Sequence, residues 1–309
     1  MAARDRLQIS SRPCSTSQRM GAPAGYSPAR MSAEISSAHE ASPGFGPDGF
    51  GPDGFRLDGR VALVTGAAQG IGRACALALA RFGADLAICD RDAAGLDSLA
   101  AEIVSIGRRA STGVLDVRDG EAVRSFVEAV VAARGAIDVL VNNAGGGFMA
   151  AMTDVNDKGQ DSLIRENFSS VTNFVRATVP CMPACGGSIV NMTSIEAHRA
   201  APGFAIYAAM KTAVFSLTKS LALELGDRLI RVNCIAMDVI PTPGLGMIDF
   251  GRRTPLPIDG HVDDVAAACV YLASDASRFV TGTTVHVDGG NSAAAGWIRQ
   301  ADGTFGTGI

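Results

Sequence analysis

The sequence predicts an α/β fold in which one doubly wound, mostly parallel β-sheet carries helices on both faces. Three observations support this expectation. Short runs of β-branched residues alternate with Ala- and Leu-rich helical segments from Leu57 onward, and buried parallel strands typically consist of such uninterrupted apolar runs. The helical segments are long enough to form the crossovers that parallel strands require. Glycines follow the first strand at the point where a helix opens.

The elements follow from apolar runs that are bounded by turn residues. The predicted strands, in chain order, are Val61–Thr65, Leu86–Cys89, Ser111–Leu115, Ile137–Val141, Ser188–Met192, Ile230–Ile235 and Thr284–Val287. The predicted helices are Arg73–Phe82, Ala93–Ile106 and Gly120–Ala133, with two longer helices near 159–184 and 203–226. This alternation places all the strands in a single domain of about 250 residues.

The composition limits the classes of function. The chain has 309 residues, of which 47% are hydrophobic and 19% are charged, and its formal net charge is −4. No run approaches the roughly 18 consecutive apolar residues that span a bilayer, which argues against an integral membrane protein. The mildly acidic balance provides no basic patch for nucleic acid. We therefore expect a small-molecule substrate, with neither nucleic acid nor a membrane as a partner.

The cysteines are scattered, at positions 14, 75, 89, 181, 185, 234 and 269. Four of them lie within apolar runs, where a reduced cysteine packs as a small hydrophobic side chain. Cys181 and Cys185 are four residues apart, a spacing that matches neither a zinc site nor a redox motif. The pattern predicts reduced thiols, no metal site and a cytoplasmic location.

The two ends of the chain differ from its centre. Residues 1–56 are rich in Ser, Pro, Gly, Ala and Arg and lack apolar periodicity, so we predict a flexible or disordered leader. One alternative is a transit peptide. The other is an overextended reading frame, in which translation starts at Met20 or Met31. Residues 57–290 are predicted to form the folded domain. Residues 291–309 are predicted to be a C-terminal tail that contacts another subunit.

A glycine-rich turn, Thr65-Gly66-Ala67-Ala68-Gln69-Gly70-Ile71-Gly72, connects the first predicted strand to a helix. Glycines at such a turn let a pyrophosphate approach the backbone and rest on the amides of the helix N-terminus. Asp90 follows Gly72 by 18 residues, at the end of the second strand, where a carboxylate accepts hydrogen bonds from an adenosine ribose. The alternative is that Asp90 is an ordinary turn residue.

Tyr207 and Lys211 form a second candidate site. They are four residues apart in a predicted helix, so their side chains project from the same face. A neighbouring ammonium stabilises a phenolate and lowers the pKa of the tyrosine from about 10. Such a phenol can act as a general acid or base near neutral pH. The alternative is a surface pair without a catalytic role.

Several motifs in this order resemble the short-chain dehydrogenase/reductase family. They are the TGxxxGIG segment at 65–72, Asn142-Asn143-Ala144-Gly145, Ser194 thirteen residues before Tyr207, and the YxxxK segment that ends at Lys211. Asp116, Val117 and Asn167 also occupy positions that match the family. The resemblance covers Leu57 to Gly290 and implies a Rossmann fold that transfers hydride to or from a nicotinamide cofactor.

The resemblance also implies roles for individual residues. Tyr207 would exchange a proton with the substrate oxygen, Ser194 would stabilise that oxygen, and Lys211 would bind the nicotinamide ribose and lower the pKa of Tyr207. Asn167 would hold a water in a proton relay towards Lys211. The implied catalytic residues are thus Asn167, Ser194, Tyr207 and Lys211. The implied cofactor-binding residues are Gly66, Gln69, Gly70, Ile71, Gly72, Asp90, Arg91, Asp116, Val117, Asn143, Ala144, Gly145, Tyr207, Lys211 and Thr242.

One segment departs from the family pattern. After the sixth strand the family usually carries Pro-Gly, whereas this chain has Met237-Asp238. A Pro-Thr-Pro-Gly segment follows at 241–244, in which Thr242 would contact the nicotinamide carboxamide. The glycine- and proline-rich stretch 241–260 is expected to form a mobile lid over the substrate.

The sequence therefore predicts an NAD-dependent oxidoreductase that acts on a secondary alcohol or its ketone, with a hydrophobic and uncharged substrate. Asp90 would accept hydrogen bonds from the ribose of NAD and repel the extra phosphate of NADP. The neighbouring Arg91 could instead bind that phosphate. An NADPH-dependent carbonyl or 3-oxoacyl reductase is the alternative. A non-catalytic nucleotide-binding protein is a third reading. The family resemblance also implies a homotetramer or homodimer.

Overall fold

A computed structural model of the chain describes residues 49–243, 254–300 and 302–307. Within these ranges, a compact unit begins at Pro52. Most of the predicted leader, residues 1–48, and part of the predicted lid, residues 244–253, lie outside the described residues. The following description concerns the unit that begins at Pro52.

A seven-stranded sheet forms the centre of this unit. Its strands are β1 (Val61–Thr65), β2 (Asp85–Asp90), β3 (Ala110–Val114), β4 (Val139–Asn142), β5 (Gly187–Ser194), β6 (Ile230–Met237) and β7 (Thr284–Val287). They are ordered β3-β2-β1-β4-β5-β6-β7, and each neighbouring pair is parallel. This arrangement confirms the predicted doubly wound fold class. The strand order reverses between β1 and β4, which is where open α/β sheets bind ligands.

Helices cover both faces of the sheet. They are α1 (Gly70–Arg81), α2 (Ala93–Ser105), α3 (Gly120–Arg134), α4 (Asp157–Ile164), α5 (Ser170–Thr178), α6 (Ala205–Glu224), α7 (Val262–Ala273) and α8 (Asn291–Ala294). Alternate residues of β1 belong to different core clusters: Ala62 and Val64 pack with α1, α2 and α7, whereas Val61 and Leu63 pack with α3, α5 and α6. Because successive strand residues point to opposite faces, an uninterrupted apolar strand supplies both cores.

The long helix predicted near 159–184 is interrupted. A π-helical turn, Arg165–Ser169, separates α4 from α5. The Asn167 side chain donates from Nδ2 to the Leu163 carbonyl, at 3.0 Å, which is the carbonyl that the Asn167 backbone amide would use in an α-helix. A side chain that inserts into the helical hydrogen-bond ladder is a recognised cause of such a turn.

Helix α7 was not among the predicted helices. It begins after His261, whose imidazole accepts from the Asp263 amide while the Asp264 carboxylate accepts from the His261 amide. These hydrogen bonds satisfy amides that a helix N-terminus leaves unpaired. Val265, Ala266 and Cys269 then bury its inner face. His261, which the sequence marked as a loop or cap residue, thus replaces the usual Ser, Thr or Asp at the N-cap.

The C-terminal segment contains α8 and a two-stranded antiparallel hairpin, β8 (Trp297–Arg299) and β9 (Phe305–Thr307). Large apolar side chains are exposed on this hairpin and elsewhere, including Leu223 at 82% and Phe279 at 97%. Contact with another subunit stays a prediction. None of the helices in the described part of the chain is long and apolar enough to cross a membrane.

Candidate active site

A cleft of about 630 Å³ opens at the carboxyl ends of the strands, around the point where the strand order reverses. It brings together every residue predicted to bind a cofactor and three of the four predicted catalytic residues, while Asn167 is buried against the cleft wall. The residues singled out in the sequence that line it are Gly66, Gln69, Gly70, Ile71, Gly72, Asp90, Arg91, Asp116, Val117, Asn143, Ala144, Gly145, Ser194, Tyr207, Lys211 and Thr242.

The turn between β1 and α1 requires its glycines for steric reasons. Gly66 and Gly70 adopt positive φ values of 63° and 58°, a region that favours glycine. A Cβ at Gly72 would lie 2.1 Å from the Gly66 carbonyl oxygen and 2.5 Å from Asn143 Nδ2. The turn therefore exposes bare backbone to the cleft at the N-terminus of α1, where unpaired amides attract an anion.

Asp90 lies at the end of β2, on the opposite side of this turn. Its carboxylate accepts from the Ala68 amide at 3.0 Å and from the Arg91 amide at 2.7 Å. These hydrogen bonds orient the carboxylate toward the turn and leave further lone pairs free, since an ionised carboxylate offers about four acceptor sites. The Arg91 guanidinium is 63% exposed and lies 3.9 Å from a Glu166 oxygen.

Asp116 and Val117 form the next part of the wall, after β3. Asp116 accepts two hydrogen bonds from Arg118 Nε and one from Arg118 Nη2. This hydrogen bonding lowers the pKa of Asp116 below its ordinary value, so the group is a carboxylate at neutral pH. Arg118 Nη1 also donates to the Ser162 hydroxyl, which ties this wall to helix α4.

The segment after β4 is held against the glycine turn by Thr65. The Thr65 hydroxyl accepts from the amides of Asn143 and Ala144, at 3.0 and 2.9 Å. Asn143 Nδ2 in turn donates to the carbonyls of Thr65 and Gly66. A Cβ at Gly145 would lie 2.8 Å from Asn167 Oδ1. The Asn-Asn-Ala-Gly motif therefore serves as a structural clamp between the ends of two adjacent strands.

Ser194, Tyr207 and Lys211 meet at the other end of the cleft. Ser194 is the last residue of β5, and Tyr207 and Lys211 lie in the first two turns of α6. The Lys211 side chain is buried, and its Nζ donates to the Met192 carbonyl at 3.1 Å and lies 5.5 Å from the centroid of the Tyr207 ring. The i, i+4 spacing thus brings the two side chains together as predicted.

Their ionisation differs from the prediction. The expectation that Lys211 lowers the pKa of Tyr207 was wrong for this arrangement, because burial raises that pKa. The hydrogen bond to Ser194 opposes the rise in pKa, and the negative charge of Glu196 adds to it. Burial also lowers the pKa of Lys211 to about 8. Desolvation of both side chains is the physical reason, because each loses water that would stabilise its charged form.

Asn167 adjoins this cluster through the backbone of the Gly145-Gly146 segment. Its Nδ2 donates to the Gly146 carbonyl at 2.8 Å, and its Oδ1 accepts from the Gly146 amide at 3.2 Å. The π-helical turn places the amide between α4 and the cleft wall. The sequence motif indicated the residue, but the distortion of the helix around it could not be read from apolar periodicity.

Several cleft residues were missed or given little weight in the sequence. Glu166 precedes Asn167 and lines the wall, as do Glu196 and Asp238 near Ser194. Thr242 approaches the glycine turn, with its Cγ2 atom 3.2 Å from the position of a Cβ on Gly70. A small apolar cavity beside Tyr207 is lined by residues that include Phe148, Leu163 and Phe204. The departure at Met237-Asp238 was the available signal for Asp238.

Known proteins resemble this chain in sequence and in structure. A family profile described as enoyl-(acyl carrier protein) reductase matches residues 66–292. The 3-oxoacyl-(acyl-carrier-protein) reductase of Thermotoga maritima is 39% identical over 241 residues, which cover 76% of this chain and 98% of that protein. A gluconate 5-dehydrogenase from Burkholderia cenocepacia, in complex with NADP and tartrate, is 37% identical with a TM-score of 0.74, covering 78% of this chain and 98% of its own. Carveol dehydrogenase from Mycobacterium avium, in complex with NAD, is 32% identical with a TM-score of 0.71, covering 76% and 98%.

The match to the family profile spans the glycine turn, the clamp after β4 and the Ser194, Tyr207 and Lys211 cluster. The structural matches cover 78% and 76% of the chain, at sequence identities above 30%. The names of these three relatives differ in substrate and cofactor, so substrate and cofactor must be argued from this chain's own residues. Sequence and structure together establish that the chain belongs to the short-chain dehydrogenase/reductase family of oxidoreductases.

Proposed function

We propose that the protein is an NAD-dependent dehydrogenase that interconverts a secondary alcohol and its ketone. The observation that carries the proposal is the convergence of Ser194, Tyr207 and Lys211 at one end of a glycine-lined cleft. A hydroxyl, a phenol and an ammonium at this position can bind and protonate a substrate oxygen. The remainder of the cleft is lined by the glycine turn, whose backbone amides at the N-terminus of α1 suit the pyrophosphate of a dinucleotide.

The residues present fit a nicotinamide dinucleotide. The space that a Cβ on Gly72 would occupy is already filled by the Gly66 carbonyl, so the turn can form only with bare backbone, as a pyrophosphate site requires. Gly66 to Gly72 would hold the pyrophosphate, Asp90 the adenosine ribose, and Asp116 and Val117 the adenine. Asn143 to Gly145, Lys211 and Thr242 would hold the nicotinamide half. The cofactor, when bound, supplies the hydride chemistry.

The chain's own residues control the proton and the substrate oxygen. In the oxidative direction, the carbinol carbon loses a hydride and the hydroxyl loses a proton. Tyr207 accepts this proton in its phenolate form, which its raised pKa makes the minor form at neutral pH. In the reductive direction, the Tyr207 phenol donates that proton to the carbonyl oxygen. Ser194 donates a hydrogen bond to the oxygen as negative charge develops on it. Lys211 binds ribose hydroxyls, and Asn167 orders the proton path toward Lys211.

Substitution of Tyr207 tests this proposal. Tyr207→Phe should lower kcat by roughly 10²–10⁴, the contribution typical of a general acid or base, while the Kd for NAD stays nearly constant. Ser194→Ala should lower mainly kcat, and Lys211→Ala should weaken NAD binding as well as turnover. Cofactor absorbance with a panel of secondary alcohols and ketones, together with calorimetric NAD titration, measures both quantities.

The matched control is Tyr271→Phe, which removes the same hydroxyl from helix α7, outside the residues that line the cleft. It should retain wild-type turnover. A Tyr207→Phe protein that turns over its substrate at the wild-type rate would refute the proposed mechanism. Retained catalysis in all three active-site variants would favour the reading of Tyr207 and Lys211 as structural residues.

Asp90 supports the choice of NAD over NADP. Its carboxylate is held toward the glycine turn by backbone amides and would repel a phosphate on the ribose. Gln69 supplies no compensating charge. The exposed Arg91 guanidinium favours the second candidate, an NADPH-dependent carbonyl or 3-oxoacyl reductase, because arginine binds phosphate well.

The ratio of Kd values for NAD and NADP decides between the two candidates. We expect tighter binding of NAD by the wild type and a narrowed or reversed ratio in Asp90→Ala. Asp97→Ala is the control, since Asp97 is an exposed acid on α2 that does not line the cleft. Equal or tighter binding of NADP by the wild-type protein would instead support the second candidate.

A further inference from the structure

Two carboxylates line the cleft next to the reacting groups. Ser194 and Met237 are paired in the register of β5 and β6. Glu196 follows Ser194 by two residues and Asp238 follows Met237 by one, so both acids leave adjacent strand ends and line the cleft. The amide of Glu196 donates to the Ser194 hydroxyl at 3.2 Å. The two acids therefore line the same cleft as Ser194 and Tyr207, and the charge of Glu196 acts on Tyr207.

Both carboxylates are held in fixed positions. Arg199 donates to the two Glu196 oxygens, at 2.8 Å from Nη2 and 3.2 Å from Nε. Asp238 accepts from Asn291 Nδ2 at 2.7 Å and from the Val239 amide at 2.8 Å. Each carboxylate oxygen can accept more than one hydrogen bond. Glu196 and Asp238 are thus preorganised groups with acceptor capacity left for a ligand.

The acid at position 238 departs from the usual family pattern. The family pattern usually has glycine there, which offers no side-chain acceptor. Asp238 also anchors α8, through its hydrogen bond to Asn291, so the side chain cannot turn away without breaking that contact. An aliphatic substrate group packed against Glu196 and Asp238 would displace water from both carboxylates without donating a hydrogen bond to either. Such desolvation of a charged group is unfavourable.

We propose that the substrate carries a second hydrogen-bond donor on the carbon next to the reacting carbinol, and that Glu196 and Asp238 accept from it. The preferred class is a small, uncharged vicinal diol or polyol. This inference depends on the proposed function, because it assigns the substituent beside the carbon that is oxidised. It keeps the uncharged substrate that the sequence suggested and makes it more polar than the hydrophobic molecule expected there. Glu196 and Asp238 are specificity-determining residues in this assignment.

A matched pair of substrates tests the proposal. Butane-2,3-diol and butan-2-ol share the reacting group and differ by one hydroxyl on the neighbouring carbon. We expect the wild-type kcat/KM for the diol to exceed that for the monoalcohol by roughly 10- to 100-fold, the range expected for a hydrogen bond to a charged group. Glu196→Gln and Asp238→Gly should each reduce this ratio, with most of the loss in the diol reaction.

Further substrates and a control variant separate the alternatives. 3-Aminobutan-2-ol carries an ammonium as the donor and should also be preferred over butan-2-ol. 3-Hydroxybutyrate should be a poorer substrate than the diol, because its carboxylate offers no hydrogen-bond donor to Glu196 and Asp238. Glu128→Gln removes the same charge from an exposed position on α3 and should leave the ratio unchanged.

The outcomes distinguish this inference from the proposed function. A wild-type ratio near or below one, a preference for 3-hydroxybutyrate over the diol, or a ratio unchanged in both variants would overturn the role of Glu196 and Asp238 while the dehydrogenase assignment stands. If none of the alcohols is oxidised, and none of the corresponding ketones is reduced with either cofactor, the proposed function fails and this inference with it.

Discussion

Lys211 is a cation whose ammonium is buried, with the Met192 carbonyl as a hydrogen-bond partner. Burial lowers its pKa from 10.5 to about 8, so below pH 8 the folded protein bears the cost of a desolvated charge that the unfolded chain does not. Between pH 8 and 10.5 the unfolded chain binds more protons than the folded protein, and the free energy of unfolding rises with pH.

Lys211→Met should therefore stabilise the protein at pH 7, by about 1–3 kcal/mol, while turnover is lost. The gain should shrink as the pH rises from 8 toward 10.5, because the wild-type lysine then becomes neutral in the folded state. Urea unfolding at pH 7 and pH 9.5 measures the difference. Lys219→Met is the control on the same helix, since Lys219 is exposed. Destabilisation by Lys211→Met at pH 7 would show that its contacts outweigh its desolvation.

At the scale of elements, the turn between β1 and α1 leaves no space for a side chain at Gly72. A Cβ on Gly72 would overlap the Gly66 carbonyl, and backbone atoms cannot move aside as a flexible side chain does. Gly72→Ala should lower the free energy of unfolding by about 3 kcal/mol or more and weaken NAD binding. Chemical unfolding and NAD titration test this prediction.

Gly226→Ala provides the comparison for Gly72→Ala. No atom beyond its chain neighbours lies within 4 Å of a Cβ at Gly226, which is in a 3₁₀ turn after α6. We expect it to change stability by less than about 0.5 kcal/mol. Similar effects of the two substitutions would mean that the turn relaxes to accept a methyl group and does not need its glycine.

Elements formed by regular periodicity were predictable, and elements shaped by a single side chain were not. The bounds of β1 agree with its apolar run, Val61–Thr65, because both faces of that strand are buried. The π-helical turn at Arg165–Ser169 arises from one hydrogen bond, from Asn167 to Leu163, and leaves no trace in the apolar pattern. Helix α7, which begins at the uncommon N-cap His261, was not predicted.

At the scale of the whole molecule, the cleft collects motif residues that are distant in the chain. The sheet order brings the ends of β1, β4, β5 and β6 side by side, so the motifs at Gly66, Asn143, Ser194 and Thr242 could be assigned to one site from the sequence. The ionisation of Tyr207 and Lys211 could not be predicted from the sequence, because the degree of desolvation depends on how closely α6 packs on β5. The sequence indicated that Glu196 and Asp238 lie near the site, but not that their carboxylates line one cleft, since this depends on the register of β5 and β6.

The start of the folded unit yields the last prediction. Residues Pro52–Phe55 form a 3₁₀ turn, and Phe55 packs against the core cluster that contains Leu57. Leu57 is fully buried, and its amide donates to the Phe82 carbonyl at the end of α1. A chain that begins at Pro52 should therefore keep the melting temperature, NAD affinity and turnover of the full-length protein.

A chain that begins at Leu57 should be less stable by about 1–2 kcal/mol, because it loses the apolar area that Phe55 buries. Thermal melts, NAD titration and turnover of the two shortened proteins and the full chain make the comparison. Loss of turnover or NAD binding on removal of residues 1–51 alone would contradict the predicted leader and show that this segment contributes to the working site. Equal stability of the two shortened proteins would mean that the 3₁₀ turn adds nothing to the core.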